Sequence, residues 1–157
     1  MFAIGIDIGG TKIAGALVDD TGNVLDEQKI ASPIHDSDQM IEAIGSLISK
    51  LAQGEQVVAV GVAAAGFISA DRELIHYAPN ITAWRNEPLK KRLESQTKLP
   101  VLLENDANAA GWAEFRFGAG ADSKSMIMLT IGTGVGGAIV SDGVLLRGGF
   151  GIGGELG

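Results

Sequence analysis

No cysteine occurs in the 157 residues, which excludes a disulfide framework, a thiolate metal site and a cysteine nucleophile within this chain. Basic residues are scarce: 12 Lys+Arg stand against 19 Asp+Glu, a formal net charge of −7. Nucleic acid and anionic membrane surfaces both require a basic patch, so neither is expected as a partner. Long apolar runs are missing as well. The longest uncharged stretch, Ser125 to Ser141, is punctuated by Gly132, Gly134, Gly136 and Gly137, whereas a membrane-spanning helix needs about 20 predominantly apolar residues. The opening MFAIGIDIGG has no basic region and carries Asp7 early, unlike a secretory signal. A cytoplasmic protein is expected. The two histidines, His35 and His76, lack metal-ligand spacing, and no G-x-S-x-G nucleophile elbow is present.

Glycine is abundant. There are 23, about 15% of the chain and roughly double the ordinary share. Eleven of them lie between Gly132 and Gly157. An apolar fraction of 46% with 20% charged residues marks a globular chain, and the length suits one domain, two at most.

Hydrophobic periodicity divides the chain. Phe2 to Ile8, Ile13 to Val18 and Val24 to Ile30 read as strands, joined by Gly9-Gly10 and by the turn cluster Asp19 to Asn23. They predict an antiparallel meander. Met40, Ile41, Ile44, Leu47, Ile48 and Leu51 share one helical face, with Asp36 and Gln39 as N-terminal capping partners. Val57 to Ala63 is a continuous apolar run, read as a buried parallel strand closed by Gly66. A short hairpin is expected over Phe67 to Tyr77, and a helix over Glu87 to Lys98 with Pro88 near its first turn. A strand over Pro100 to Leu103 and a helix over Asp106 to Phe117 follow. This order predicts an α/β fold, a mixed sheet with helices on both faces.

Beyond Gly120 the pattern begins again. IGIDIGGTKIAGALVDDTGNVL and IMLTIGTGVGGAIVSDGVLL each read strand, glycine turn, strand, Asp-containing turn, Val-Leu. The offset is 123 between Gly9 and Gly132, and such an internal repeat suggests a duplicated domain. Residues 1–120 are therefore expected to form one domain and 121–157 to open a second.

Four segments could carry chemistry. Asp7-Ile8-Gly9-Gly10-Thr11-Lys12 joins two strands; bare N–H groups, a hydroxyl and a lysine suit phosphate. Asp7 could hold a hydrated Mg²⁺, which takes one or two carboxylates plus phosphate oxygens. An ordinary hairpin turn is the alternative. Gly132-Thr133-Gly134-Val135-Gly136-Gly137 satisfies G-x-G-x-x-G formally. The dinucleotide fingerprint needs a helix next, and here Ala138-Ile139-Val140 reads as a strand, so a second phosphate-gripping hairpin replaces that reading. Glu104-Asn105-Asp106-Ala107-Asn108 lies at a strand-to-helix junction. Asp106 is placed either to accept a proton from a substrate hydroxyl or to cap the helix. Finally, Gly148 to Glu155 ends a glycine segment on a carboxylate able to bind sugar hydroxyls or simply to face water. Pro79-Asn80 is a turn signal and a possible polar ligand contact.

Taken together, GIDIGGTK at 5–12, Pro79-Asn80, ENDANAA at 104–110, TIGTGVGG at 130–137 and GGFGIGGELG at 148–157 resemble the ROK family of sugar kinases and regulators. That family lies within the actin-like ATPase superfamily, whose domains are RNase H-like. The stretch HYAPNITAWRNEPLKKRLE is most similar to the bacterial glucokinases of the family. The resemblance implies ATP-dependent phosphorylation of the glucose 6-hydroxyl, with Mg²⁺. It implies Asp106 as the catalytic base and Gly66, Asn80, Asn105, Asp106 and Glu155 around the sugar. It implies Asp7, Gly9, Gly10, Thr11 and Lys12 as one phosphate segment, and Gly132, Thr133, Gly134 and Gly137 as the other. The full-length protein is expected to be a homodimer or homotetramer. Ala65 stands where many members carry proline, and the family's zinc motif is expected beyond Gly157, so no zinc is expected in this chain. Another hexose (N-acetylmannosamine, N-acetylglucosamine, fructose or mannose) is the alternative substrate. A non-catalytic sugar-binding or regulatory fragment is the alternative class.

Overall fold

A computed structural model describes residues 1–131 and 135–154. The meander forms as expected. β1 (Phe2–Ile8), β2 (Lys12–Asp19) and β3 (Val24–Ala31) pair antiparallel in sequence order. Helix α1 (Ser37–Leu51) follows, and the Asp36 side chain accepts the Gln39 N–H at 3.0 Å as its N-cap. The chain then returns as β4 (Val57–Ala64), parallel to β1. Next come β5 (Phe67–Ile68), β6 (Ile75–Tyr77) and β7 (Arg85–Glu87), a small antiparallel sheet. Helix α2 (Leu89–Thr97) leads to β8 (Val101–Asn105), parallel to β4, and β8 runs directly into α3 (Asp106–Phe117). Last are β9 (Met126–Ile131), β10 (Val135–Ser141) and β11 (Val144–Leu145), a second three-stranded sheet.

The five-stranded sheet has the order β3-β2-β1-β4-β8. One of its faces carries Ile4, Ile6, Ile8, Ile13, Leu17, Val60, Val62, Val101 and Leu103, all buried. Alternation places them there: each strand turns every second side chain inward. The buried stripe of α1 (Met40, Ile41, Ile44, Leu47, Ile48, Leu51) covers this face together with Leu89 and Leu93 of α2. Gly15 fixes how closely α1 sits, since a Cβ there would lie 2.8 Å from Leu51 Cδ1 and 2.9 Å from Leu47 Cδ2. The outer strand β3 is exposed and carries Asp26, Glu27 and Lys29, charges that discourage edge-to-edge pairing.

The opposite face is built from small residues. Gly5, Ala14, Ala16, Gly61 and Ala63 line a cavity of about 800 Å³, bounded by Ala109 and Trp112 of α3 and by Val144 of β11. Helices therefore flank both faces, as expected of the mixed sheet. Among the described residues no helix is long and apolar enough to cross a membrane.

The expected start of α2 needs correction. Glu87 belongs to β7 and not to the helix, and Pro88 occupies the N-cap position of α2 without a side-chain hydrogen bond. The buried Glu87 carboxylate accepts from Ser37 Oγ at 2.7 Å and from Arg92 Nη1 at 2.9 Å. Arg92 also pairs with Asp38. These tertiary contacts tie α1 to α2 and outweigh the local helical pattern. The second glycine hairpin also differs in register from the first. Ile8 pairs with Ile13, leaving residues 9–12 between them, whereas Ile131 pairs with Val135, leaving only 132–134. A strand, β10, and not a helix follows that turn, which agrees with rejecting a dinucleotide fingerprint.

Candidate active site

In open α/β sheets, ligands bind beyond the carboxyl ends of parallel strands. Here β1, β4 and β8 end in register. Asp7 lies beside Ala63, and Ala63 beside Glu104; Ile8 lies beside Ala64, and Ala64 beside Asn105. The candidate residues leave the sheet along this edge. Asp7 is on β1, residues 9–11 form the turn after it with Lys12 opening β2, Gly66 follows β4, and Asn105 and Asp106 mark the passage from β8 to α3.

Close approaches join these segments. The Asn105 Nδ2 donates to the Gly66 carbonyl at 3.3 Å. A Cβ on Gly10 would lie 2.7 Å from Asn80 Cβ, so only glycine lets the first turn touch the Pro79-Asn80 loop. The turn itself is braced by Ser32, the residue after β3. Gly9 N–H donates to Lys12 O at 3.0 Å, and Ser32 donates from Oγ to Gly9 O at 2.7 Å and from N–H to Thr11 O at 3.2 Å. Among the described residues the N–H groups of Gly10 and Thr11 reach no acceptor, and Thr11 and Lys12 are exposed at the same tip. Unpaired donors beside a hydroxyl and an ammonium form an anion-receptive concavity.

Asp106 is not the helix cap. Asn105 has extended backbone (φ −62°, ψ 146°), and its Oδ1 accepts the Asn108 N–H at 3.1 Å. Asp106 sits in the first helical turn, exposed, and among the described residues its Oδ1 accepts the neighbouring Ala107 N–H at 2.9 Å and no other donor. The N-cap reading of Asp106 is thus corrected, and its carboxylate remains open to solvent. Asn105, by contrast, is buried and engaged with its own fold.

The charge of Asp106 acts on Asp7. Partial desolvation, and then the charge of Asp106, raise the Asp7 pKa above the ordinary aspartate value, while Lys12 pulls it down. Ionised Asp7 therefore opposes folding at neutral pH, and the penalty disappears once pH falls below the unfolded value of about 3.9. Asp7→Asn is expected to raise Tm at pH 7, with the gain shrinking as pH falls toward about 3. Melting curves across that range test this; a gain that persists in acid would contradict it. Magnesium takes one or two carboxylates together with phosphate oxygens, so a cage of protein ligands is unnecessary, and no cluster of three or more His, Asp or Glu exists among the described residues. The Asp7 carboxylate, beside an anion-receptive turn, fits such an ion.

The remaining site residues meet α3 from the other side. Gly137 lies on β10 opposite Leu129. A Cβ on Gly154 would lie 2.7 Å from both Gly137 O and Asn108 Oδ1, so the glycine-rich loop after β11 seats against the start of α3. Gly132, Thr133, Gly134 and Glu155 lie outside the described residues. The large cavity reaches this edge at Asp7, Ala63 and Glu104, with Arg72 beside it.

Sequence reasoning assigned no role to Glu104, Arg147, Arg72, Ser32 or Asn108. Glu104 is buried, and its Oε1 accepts from Asn105 N–H at 3.0 Å and from Asn108 Nδ2 at 3.3 Å. Its Oε2 lies 3.0 Å from Arg72 Nη2 and 3.0 Å from Arg147 Nε. A carboxylate inside the apolar strand VLLEN was the signal available for it.

The sequence model of the ROK family matches residues 3–157. A glucokinase of Streptomyces coelicolor is 46% identical over 154 residues, covering 98% of this chain and 48% of that protein. An N-acetylmannosamine kinase of Escherichia fergusonii is 40% identical over 159 residues, covering 100% of this chain and 53% of that protein. Among solved structures, a ROK family glucokinase from Streptomyces griseus in complex with glucose and AMPPNP superposes with a TM-score of 0.92 at 45% identity, covering 100% of this chain and 50% of that one. The chain spans about half the length of the curated relatives it matches. With the fold shared across its whole length and the family's sequence pattern running from residue 3 to residue 157, this chain belongs to the ROK family.

Proposed function

We propose that these residues are the N-terminal part of a hexokinase-type phosphotransferase, a glucokinase that transfers the γ-phosphoryl of ATP to the 6-hydroxyl of glucose. The observation that carries this reading is the position of Asp106. It is a solvent-open carboxylate freed from capping by Asn105, at the same sheet edge as a turn with unpaired N–H donors. The 46% identity to a glucokinase points the same way.

In this reading Asp106 accepts the proton of the sugar 6-hydroxyl as that oxygen bonds to the γ-phosphorus, and the bond to the bridging oxygen of ADP breaks. Phosphoryl transfer asks a protein chiefly for alignment, charge stabilisation and one base. Gly66, Asn80, Asn105 and Glu155 hold the sugar hydroxyls. Gly9, Gly10, Thr11 and Lys12 receive phosphate oxygens, with Gly132, Thr133, Gly134 and Gly137 opposite. Asp7 would hold magnesium through its water shell, and the ion would supply charge neutralisation at the transferred group, leaving the Asp106 carboxylate free to act as base.

Residues 1–120 form one domain in this reading, and 121–157 open its duplicate. The 157-residue chain on its own then turns over little or no sugar, because its matched relatives are about twice as long. The test is a coupled assay of the complete protein with ATP across hexoses. The highest kcat/KM is expected with glucose. A preference for N-acetylmannosamine, the substrate class named for the 40% identical relative, would replace glucose by that sugar. No turnover of any hexose would overturn the kinase reading.

A further inference from the structure

We infer that Arg147 is a positioning residue that sets hexose affinity by clamping the glycine-rich loop 147–154 onto the β8–α3 junction. The inference rests on the kinase reading above. Arg147 follows β11 and its side chain is nearly buried, with 12% exposure. Its guanidinium spans two elements at once. Nε lies 3.0 Å from Glu104 Oε2, Nη1 donates to Ala70 O at 2.9 Å, and Nη2 reaches Ser69 O at 3.4 Å. A planar fork with fixed donors suits such simultaneous contacts, which a lysine ammonium cannot reproduce.

The loop beyond Arg147 depends on this anchor. It folds back so that Gly153 N–H donates to Arg147 O at 2.8 Å. Gly151 approaches Ile68 O so closely that a Cβ would lie 2.6 Å from it. Gly154 meets Asn108 Oδ1, and the Asn108 Nδ2 donates to the same Glu104 carboxylate. Glu104 therefore joins two partners. One is the strand-to-helix turn that presents Asn105 and Asp106. The other, through Arg147, is the loop that leads in sequence to Glu155. The buried carboxylate is balanced by two guanidinium groups, Arg72 and Arg147, so removing Arg147 loosens the loop and leaves Arg72 to hold the charge.

The test uses Arg147→Met, Arg147→Lys, Glu104→Gln and the Glu104→Gln/Arg147→Met double variant of the complete protein. Amide exchange is read at Gly153 and hexose kinetics are read in parallel. Arg147→Met is expected to speed Gly153 exchange and raise hexose KM by about tenfold or more, with kcat held within about threefold. Arg147→Lys should recover part of both losses. The double variant should be no worse than the worse single one, because the two residues act as one contact. Unchanged exchange and unchanged KM in Arg147→Met would overturn the inference. So would a loss of melting temperature or of kcat with KM intact, which is the mark of a merely structural part. Absence of hexose turnover before any substitution would overturn the kinase reading instead, and the exchange measurement would still decide the clamp.

Discussion

Asp106→Asn in the complete protein is expected to lower kcat by about 10²- to 10⁴-fold, the range typical of losing a general base. Hexose affinity is expected to change by less than about threefold, since no uniform binding interaction is removed. The substitution keeps the shape and both heavy-atom positions of the side chain, and helix α3 keeps its cap. Asn105 and not Asp106 accepts the orphan N–H of Asn108, so the stability cost is confined to a first-turn charge, about 0.3–1 kcal/mol. Steady-state rates, calorimetric glucose binding and a melting curve together check this. A fall in binding as large as the fall in rate would sink the assignment of Asp106 as base. A melting loss of several degrees would return it to a structural role.

Trp84→Ala is expected to cost about 3–5 kcal/mol of folding stability, as emptying a filled aromatic site does. Trp84 is fully buried with Ile81, Leu89 and Leu93 in the same core. It also closes the loop that carries Asn80, since Trp84 N–H donates to Ile81 O at 3.1 Å. The contrast with Trp84→Phe is the sharper check. Among the described residues the indole Nε1 has no hydrogen-bond partner, so phenylalanine forfeits volume but no bond. Its cost should stay near or below about 1.5 kcal/mol. Urea titration of both variants measures the difference. Equal costs would mean that the indole nitrogen contributes a contact of its own.

The fold was legible wherever one period dominated a segment. Short apolar runs ended by turn residues defined β1 and β2, a helical stripe defined α1, and the Asp36–Gln39 pair marked its start to the residue. β7 escaped because Arg-Asn-Glu has neither alternation nor branched side chains; its strand exists through pairing with β6 and through the contacts of Glu87 with Ser37 and Arg92. At the β8–α3 junction two adjacent cap-forming residues made the sequence ambiguous, and only backbone geometry assigns the cap to Asn105. Glu104 and Arg147 lie 43 positions apart, a separation that no local pattern encodes. Their meeting follows from packing the loop after β11 against the sheet edge. Glycines at 9, 10 and 66 were found because turns announce them, while what each one touches required the fold.

The strand order β3-β2-β1-β4-β8 also sets a timetable for the chain. Its first three strands meet through short turns, contacts of low sequence separation that form quickly. β4 joins only after α1 has carried the chain back, and β8 only after the Asn80 loop and α2. The turn at 9–12 is thus made early, whereas Asn80, which it touches, and Asp106, at the same sheet edge, arrive about 70 and 95 residues later in a chain that emerges N-terminus first. In the kinase reading proposed above, the sugar site is then completed after the meander, and a refolding trace followed by ligand fluorescence should lag one followed by backbone circular dichroism.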